Sequence, residues 1–436
     1  MPNLFTLVLQ IAVIVVTSRV MGILFRKMRQ PQVVGEMFAG ILLGPSLLGW
    51  VWPHASTYLF PATSMGALNA LSEVGLTIFM FLIGLGINPQ ELKGQGHAAL
   101  LISHVSITAP FVLASGLALY LYPKLSDSSV GFTGFALFMG AAMSMTAFPV
   151  LARILTERQM LQSRLGTVAV ACAAVGDVTG WAVLAYIVVL VRAHHSARPL
   201  WVTLAGAIGF GAFMILGVRQ VLWRFHVAYK KRERLSEDLM ALILILALFS
   251  ALCTEYLGLH LLFGAFLMGA ILPKERKFVQ YILDRFETVT VVLLLPLFFA
   301  YTGLRTSIGL VHGPEMWMYC GLITLVAIVG KMGGTMISSR LGGLAWRESA
   351  GLGALMNTRG LMELVILNVG LDIKVISPAL FSMMVVMALV TTFMTVPLLE
   401  LICPAHTLTA NLPVEFASQD AVLAPLSLES TDTSAA

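Results

Sequence analysis

Charge is scarce in this chain. Asp, Glu, Lys and Arg make up 11% of its 436 residues, where a soluble domain carries about 25%. That scarcity excludes an ordinary water-soluble globule. Cysteine is sparse as well. Cys172, Cys253, Cys320 and Cys403 lie in or beside apolar runs without a CxxC pair, so they read as small core residues. The histidines show no ligand clustering, and HExxH, Walker and GxSxG signatures are missing, so no enzyme site, cofactor or resident metal is expected. A net charge of +5 invites a nucleic-acid reading. Its distribution along the chain argues for membrane topology and against nucleic acid.

What the chain has instead is apolar length: 58% of it is hydrophobic, with a mean hydropathy of +0.89. Runs of about 17–25 apolar residues predict about thirteen spans of an all-α polytopic membrane protein. They fall near 4–25, 32–49, 66–87, 97–121, 131–155, 162–191, 200–221, 236–255, 258–273, 287–304, 315–339, 348–370 and 377–402, the ninth being short. Lys and Arg then cluster after every second span, as in Arg26, Lys27 and Arg29, or Arg153, Arg158 and Arg164. The alternate loops hold sparse ones such as Lys124, Arg305 and Lys374. This asymmetry predicts an N-terminus outside and a cytoplasmic C-terminus. MPNLFTLVLQ lacks the basic start of a cleaved signal, and with short loops and no transit peptide the expected location is a bacterial inner membrane.

The fifth and twelfth spans are both interrupted by polar and glycine residues, and seven spans separate them. An odd offset makes two equivalent units point opposite ways, as inverted repeats do. The expected organisation is a transmembrane domain over 1–403, with one repeat at about 4–191, a linker helix at about 200–221 and a second repeat at about 236–402. Residues 404–436 carry Pro, Ser, Thr and Ala with acids and no Lys or Arg, which predicts a disordered cytoplasmic tail.

The chemistry concentrates between Gly140 and Trp181. In GAAMSMTAFPVLARIL, Ser144, Thr146 and Pro149 interrupt a run long enough to span a bilayer. Proline removes a backbone donor and frees carbonyls that must find other partners, so Pro149 marks a helix break. In the next span Asp177 stands near the middle of an uncharged run. A carboxylate there costs about 2.5–3.5 kcal/mol on insertion scales, so it faces a watery cavity or a partner. A broken helix beside such a carboxylate is how ion-coupled transporters build a cation site. Asp177 can hold either a proton or a small cation, and the two compete; switching the site between membrane faces gives exchange. The bland alternative is that Asp177 pairs with a base and locks helices together. Thr146 and Ser144 offer hydroxyl oxygens to a hard monovalent cation, or merely bond their own preceding turn.

Lys331, inside the eleventh span, needs a carboxylate or a helix C-terminal end as partner. It can pair with Asp177 or neutralise the second break. Arg359 and Glu363 stand four apart in NTRGLMEL, the spacing of an intrahelical pair that makes both cheap to bury. Asn357 and Thr358 are candidates for closing the second break. Glu36 and Glu73 are further acids within spans, with no partner visible in the sequence.

Seven segments in order, VVGEMFAGILLGPSLLG, FMFLIGLGINPQEL, SMTAFPVLARIL, AAVGDVTGWAVLA, LLFGAFLMGAILP, LPLFFAYTGLRT and LMNTRGLMELVILNVG, resemble the monovalent cation:proton antiporter-2 family. The resemblance runs from about residue 31 to 400 and is nearest the plant and fungal cation/H+ exchanger branch. It implies a sodium/proton antiporter-like fold of thirteen helices, with inverted repeats, crossed broken helices, and a core domain moving against a dimerisation domain, hence a homodimer. It implies exchange of K+ or Na+ for H+, with a role in pH homeostasis and Asp177 as the ion-carrying carboxylate. Lys331 matches the family's basic residue. The position before the carboxylate, commonly Asp, Asn or Gln in the family, is Gly176 here, and a single carboxylate looks like electroneutral, one-for-one exchange. The alternatives are a cation channel, although no TVGYG-type filter loop is present, a sodium-coupled organic-anion symporter on a similar scaffold, and a non-transporting sensor.

Overall fold

The computed structural model describes residues 4–86, 97–126, 130–158, 160, 163–195, 200–223 and 237–403, so the tail expected at 404–436 lies outside the described residues. The helices are α1 (Leu4–Lys27), α2 (Gln32–Leu43), α3 (Ala62–Gly86), α4 (His97–Leu125), α5 (Phe132–Ser144), α6 (Phe148–Glu157), α7 (Arg164–His195) and α8 (Leu200–Phe213). They continue as α9 (Glu237–Tyr256), α10 (Leu261–Ile271), α11 (Arg276–Val289), α12 (Leu295–Arg305), α13 (Gly313–Ile328), α14 (Gly334–Leu341), α15 (Trp346–Met356), α16 (Leu361–Asp372) and α17 (Pro378–Ile402). Single π turns splice α11 to α12 and α13 to α14, at Thr290–Leu294 and Val329–Gly333.

Among the described residues, eleven helices are long and apolar enough to cross a membrane, and the bent pair α15–α16 makes a twelfth. The thirteenth expected span, the ninth in order, is realised as α10. Its 11 residues reach roughly 16 Å at 1.5 Å per residue, short of a hydrocarbon core of about 30 Å. Its glycines explain how it is held. A Cβ on Gly264 would come within 2.1 Å of the Ser250 carbonyl oxygen, and one on Gly269 would come equally close to that of Phe81. Gly84 of α3 meets the Phe266 oxygen in the same way. Backbones in contact through small residues give dispersion that lipid cannot match.

The helices pack as two groups. One gathers α1, α2, α3 and α9 to α12; the other gathers α4 to α7 and α13 to α17. They meet along a thinner seam, where α2 and the turn Ile308–Leu310 touch α17. Polar links cross it. Arg305 of α12 donates to Asp372 of α16 at 2.6 Å and to Asn368 at 3.1 Å, and Asn368 donates to Thr302 at 2.8 Å. Elsewhere on the seam, Arg153 of α6 donates to Gln32 of α2 at 3.2 Å, and Gln32 donates to Glu36 at 2.7 Å. Glu36 thus has a partner that the sequence did not reveal. Glu73 keeps one buried oxygen, Oε2, without a hydrogen bond.

Candidate functional site

The second group is built around two interrupted helices that cross. The break between α5 and α6 is Met145–Thr146–Ala147, with Met145 extended at φ −72° and ψ 148°. It begins four residues before Pro149, which sits in the first turn of α6. That placement corrects the expectation of a break at the proline itself. A helix running through would need a bond from residue 149 to the Met145 carbonyl, and proline has no N–H to give. At the start of a helix the missing donor costs nothing. The break between α15 and α16 is residues 357–360, and the two helix axes bend by 44° across it.

A helix leaves its last four carbonyls unpaired, and inside a membrane each must find a donor. All four at the end of α5 do. Ser144 Oγ donates to Ala141 O at 2.8 Å, Arg359 donates to Ala142 O at 3.2 Å and to Met143 O at 2.6 Å, and Lys331 Nζ donates to Ser144 O. Two cations at a helix C-terminus also suit its dipole. The breaks are stitched together by Ala147 N donating to Thr358 O at 3.0 Å and by Thr146 Oγ1 donating to Met356 O at 3.1 Å. Arg359 pairs with Glu363 at 3.1 Å, both essentially without solvent contact. Glu363 lies in the first turn of α16, where a negative charge is favoured.

Lys331 stands on the π turn Val329–Gly333. Such turns aim a side chain that a regular helix would place elsewhere. Of the partners anticipated for it, it takes a helix C-terminal end, that of α5 at the first break. It holds the first break, and no ion pair within 4.0 Å joins it to Asp177. Asp177 is 1% exposed, and its Oδ1 finds no hydrogen-bond partner among the described residues. One turn further along α7, Trp181 Nε1 is equally unpartnered. A Cβ built on Gly176 would meet nothing within 4 Å, so there is room beside the carboxylate where the sequence has no side chain.

The sodium/hydrogen exchanger transmembrane family model matches residues 13–401. This chain belongs to that family. Among relatives of this exchanger-family chain, the Na(+)/H(+) antiporter NhaS4 of Synechocystis is 43% identical over 406 residues, covering 92% of the chain and 98% of the relative. Cation/H(+) antiporter 17 of Arabidopsis thaliana is 39% identical, covering 92% of the chain and 49% of the relative. K(+)/H(+) antiporter 1 of Saccharomyces cerevisiae is 33% identical, covering 91% and 46%. The chain therefore spans about half the length of these plant and yeast relatives. The solved sodium proton antiporter MjNhaP1 of Methanocaldococcus jannaschii superposes with a TM-score of 0.65 at 14% identity, covering 92% of this chain and 98% of that one. At that identity the likeness speaks for the fold.

In this exchanger-family chain, reading the sequence alone missed Thr392 of α17. Its hydroxyl accepts from Arg359 N at 3.1 Å and donates to Arg359 O at 2.7 Å, clamping both backbone groups of the second break. Thr391, Thr392 and Thr395 are all fully buried. Hydroxyls so spaced in an apolar span were the available signal. Ser144 bonds its own preceding turn, and Thr358 is engaged mainly through its backbone.

Proposed function

We propose that this chain is a secondary antiporter exchanging one K+ or Na+ for one H+ by alternating access, with Asp177 holding each in turn. The observation that carries this reading is the unpartnered, buried oxygen of Asp177 beside a helix break at which the end of α5 is already closed by other donors. A carboxylate left without a partner in a span is waiting for a charge. Glu363 is not free to serve, being committed to Arg359. A single carboxylate beside the first break accepts one monovalent charge at a time, which supports electroneutral exchange. The relatives reported above bear antiporter names, which weighs against a channel or an organic-anion symporter.

In this reading the group of α4 to α7 and α13 to α17 rocks against the other, carrying the breaks and Asp177 past the barrier. Thr146 and Ser144 lend oxygens beside the first break, while Lys331 and the Arg359–Glu363 pair hold the helix ends in place. The chain works as a homodimer of inverted repeats in a bacterial inner membrane, with its N-terminus outside. In proteoliposomes loaded with a pH dye, adding cation to an imposed pH gradient collapses it for the wild type. Asp177→Asn, which can neither release a proton nor attract a cation, abolishes that collapse while the protein stays monodisperse. Unchanged exchange by this variant overturns the reading.

A further inference from the structure

Asn357 was expected to help close the second break. Its backbone N–H does so, donating to Gly353 O at 3.1 Å, but its side chain does nothing of the kind. The residue is 0% exposed, and neither Oδ1 nor Nδ2 has a hydrogen-bond partner among the described residues. Its neighbours are tied: Met356 O accepts from Thr146, and Thr358 O accepts from Ala147. A buried amide with neither end bonded has lost its water without replacement and destabilises the fold. A brace would have formed those bonds.

The packing of α15 on α7 brings this amide towards Asp177. Low on the pair, a Cβ on Gly351 would touch Leu165 at 3.3 Å. Higher up, Ala169, Cys172 and Ala173 of α7 share one buried cluster with Leu352, Leu355 and Met356 of α15. The two helices therefore climb side by side in the same direction. The next turn of the same α7 face brings Asp177, four residues after Ala173. The residue that follows α15 is Asn357, and a Cβ on Gly176, the neighbour of Asp177, would meet nothing within 4 Å.

We propose that Asn357 is a second side-chain ligand of the transported cation, completing with Asp177 an oxygen site for a monovalent ion. This rests on the reading of Asp177 as carrier. An amide oxygen is hard and uncharged, so it adds coordination for Na+ or K+ without adding a second negative charge. When the carboxyl instead carries a proton, the same amide can accept from its O–H or donate to its carbonyl. One side chain thus serves both cargoes, and its reach sets which alkali ion fits.

The test compares wild type, Asn357→Leu, Asn357→Gln and Asp177→Asn in dye-loaded proteoliposomes across Li+, Na+, K+ and Rb+, with thermal unfolding of each purified protein with and without cation. Replacing an unbonded amide by an apolar group of like shape does not destabilise a fold. Asn357→Leu is therefore expected to unfold at or above the wild-type temperature, with its apparent cation KM raised about tenfold or more, the loss of one contact worth about 1.4 kcal/mol. Asn357→Gln, with its oxygen displaced by one methylene, is expected to keep exchange and change the order of preference among the four ions. A wild-type KM and ion order in Asn357→Leu overturn the proposal. So does a marked drop in its thermal stability, which would reveal a brace. Persistent exchange in Asp177→Asn would instead defeat the carrier reading, whatever the Asn357 variants do.

Discussion

Arg359 shows how a single charge can be affordable in a membrane. It is fully buried, yet its guanidinium serves two carbonyls of α5 and the Glu363 carboxylate. Removing one member of such a pair strands the other, at about 3–5 kcal/mol. Arg359→Leu is therefore expected to lower stability by about that amount, and Arg359→Leu with Glu363→Leu to recover part of it. Recovery stays incomplete because Ala142 O and Met143 O remain without donors. A double-mutant cycle of unfolding in detergent measures this; additive losses would mean that the pair is not coupled. The four-residue spacing made the pair legible in the sequence. Its two carbonyl partners were not, since they lie 217 and 216 residues away.

At the scale of the helix, proline signalled the first break one turn late, and the ninth span, expected to be short, is an 11-residue helix. Pro149 announces that residue 145 loses a helical donor, so the interruption could be read to within one turn. The ninth span could not, because apolarity alone does not distinguish a crossing helix from one buried by its neighbours. Its α3 contact has a second fastening in the connection that follows α10. Lys274 Nζ donates to Gly84 O and Leu85 O, both at 2.8 Å, and to Gly269 O at 2.9 Å, joining the ends of α3 and α10. Burial, with a smaller contribution from the charge of Arg219, pulls this amine from an ordinary 10.5 down to about 7. The unfolded chain therefore keeps a proton between about 7 and 10.5 that the folded protein has released. Below that window both states are charged, and the folded state bears the full cost of burying the ammonium. Stability gains from this residue as pH rises through the window. The unfolding temperature of wild type minus that of Lys274→Met is expected to climb from pH 7 to pH 10. Parallel curves would remove Lys274 from the account.

For the whole molecule, what escaped the sequence was mutual placement. Alternating basic loops predict an orientation, and the motif order gave a family, but nothing local shows that Thr146 meets Met356 or that Lys331 reaches Ser144. A division into two groups was implied by the resemblance, but which helices join each was hidden, since it depends on which apolar faces choose one another. If exchange requires these groups to shift, the Arg305–Asp372 link on their seam must open. With Cys172, Cys253, Cys320 and Cys403 replaced, none of them in a disulfide, Arg305→Cys with Asp372→Cys provides a lock. A short bis-methanethiosulfonate, which joins the two cysteines through reducible disulfides, is expected to stop exchange in that variant, and a reductant to restore it. Full activity in the crosslinked protein would show that the seam does not move there.

The closure of α5 also bears on how the protein is made. Its donors from other helices, Lys331 and Arg359, are translated long after Ser144. A ribosome that has delivered α5 to the bilayer has produced a helix with its terminal oxygens still bare. Until the later segments arrive, the insertion machinery must shelter that end, and a message cut short before Arg359 yields a chain that cellular quality control should recognise and destroy.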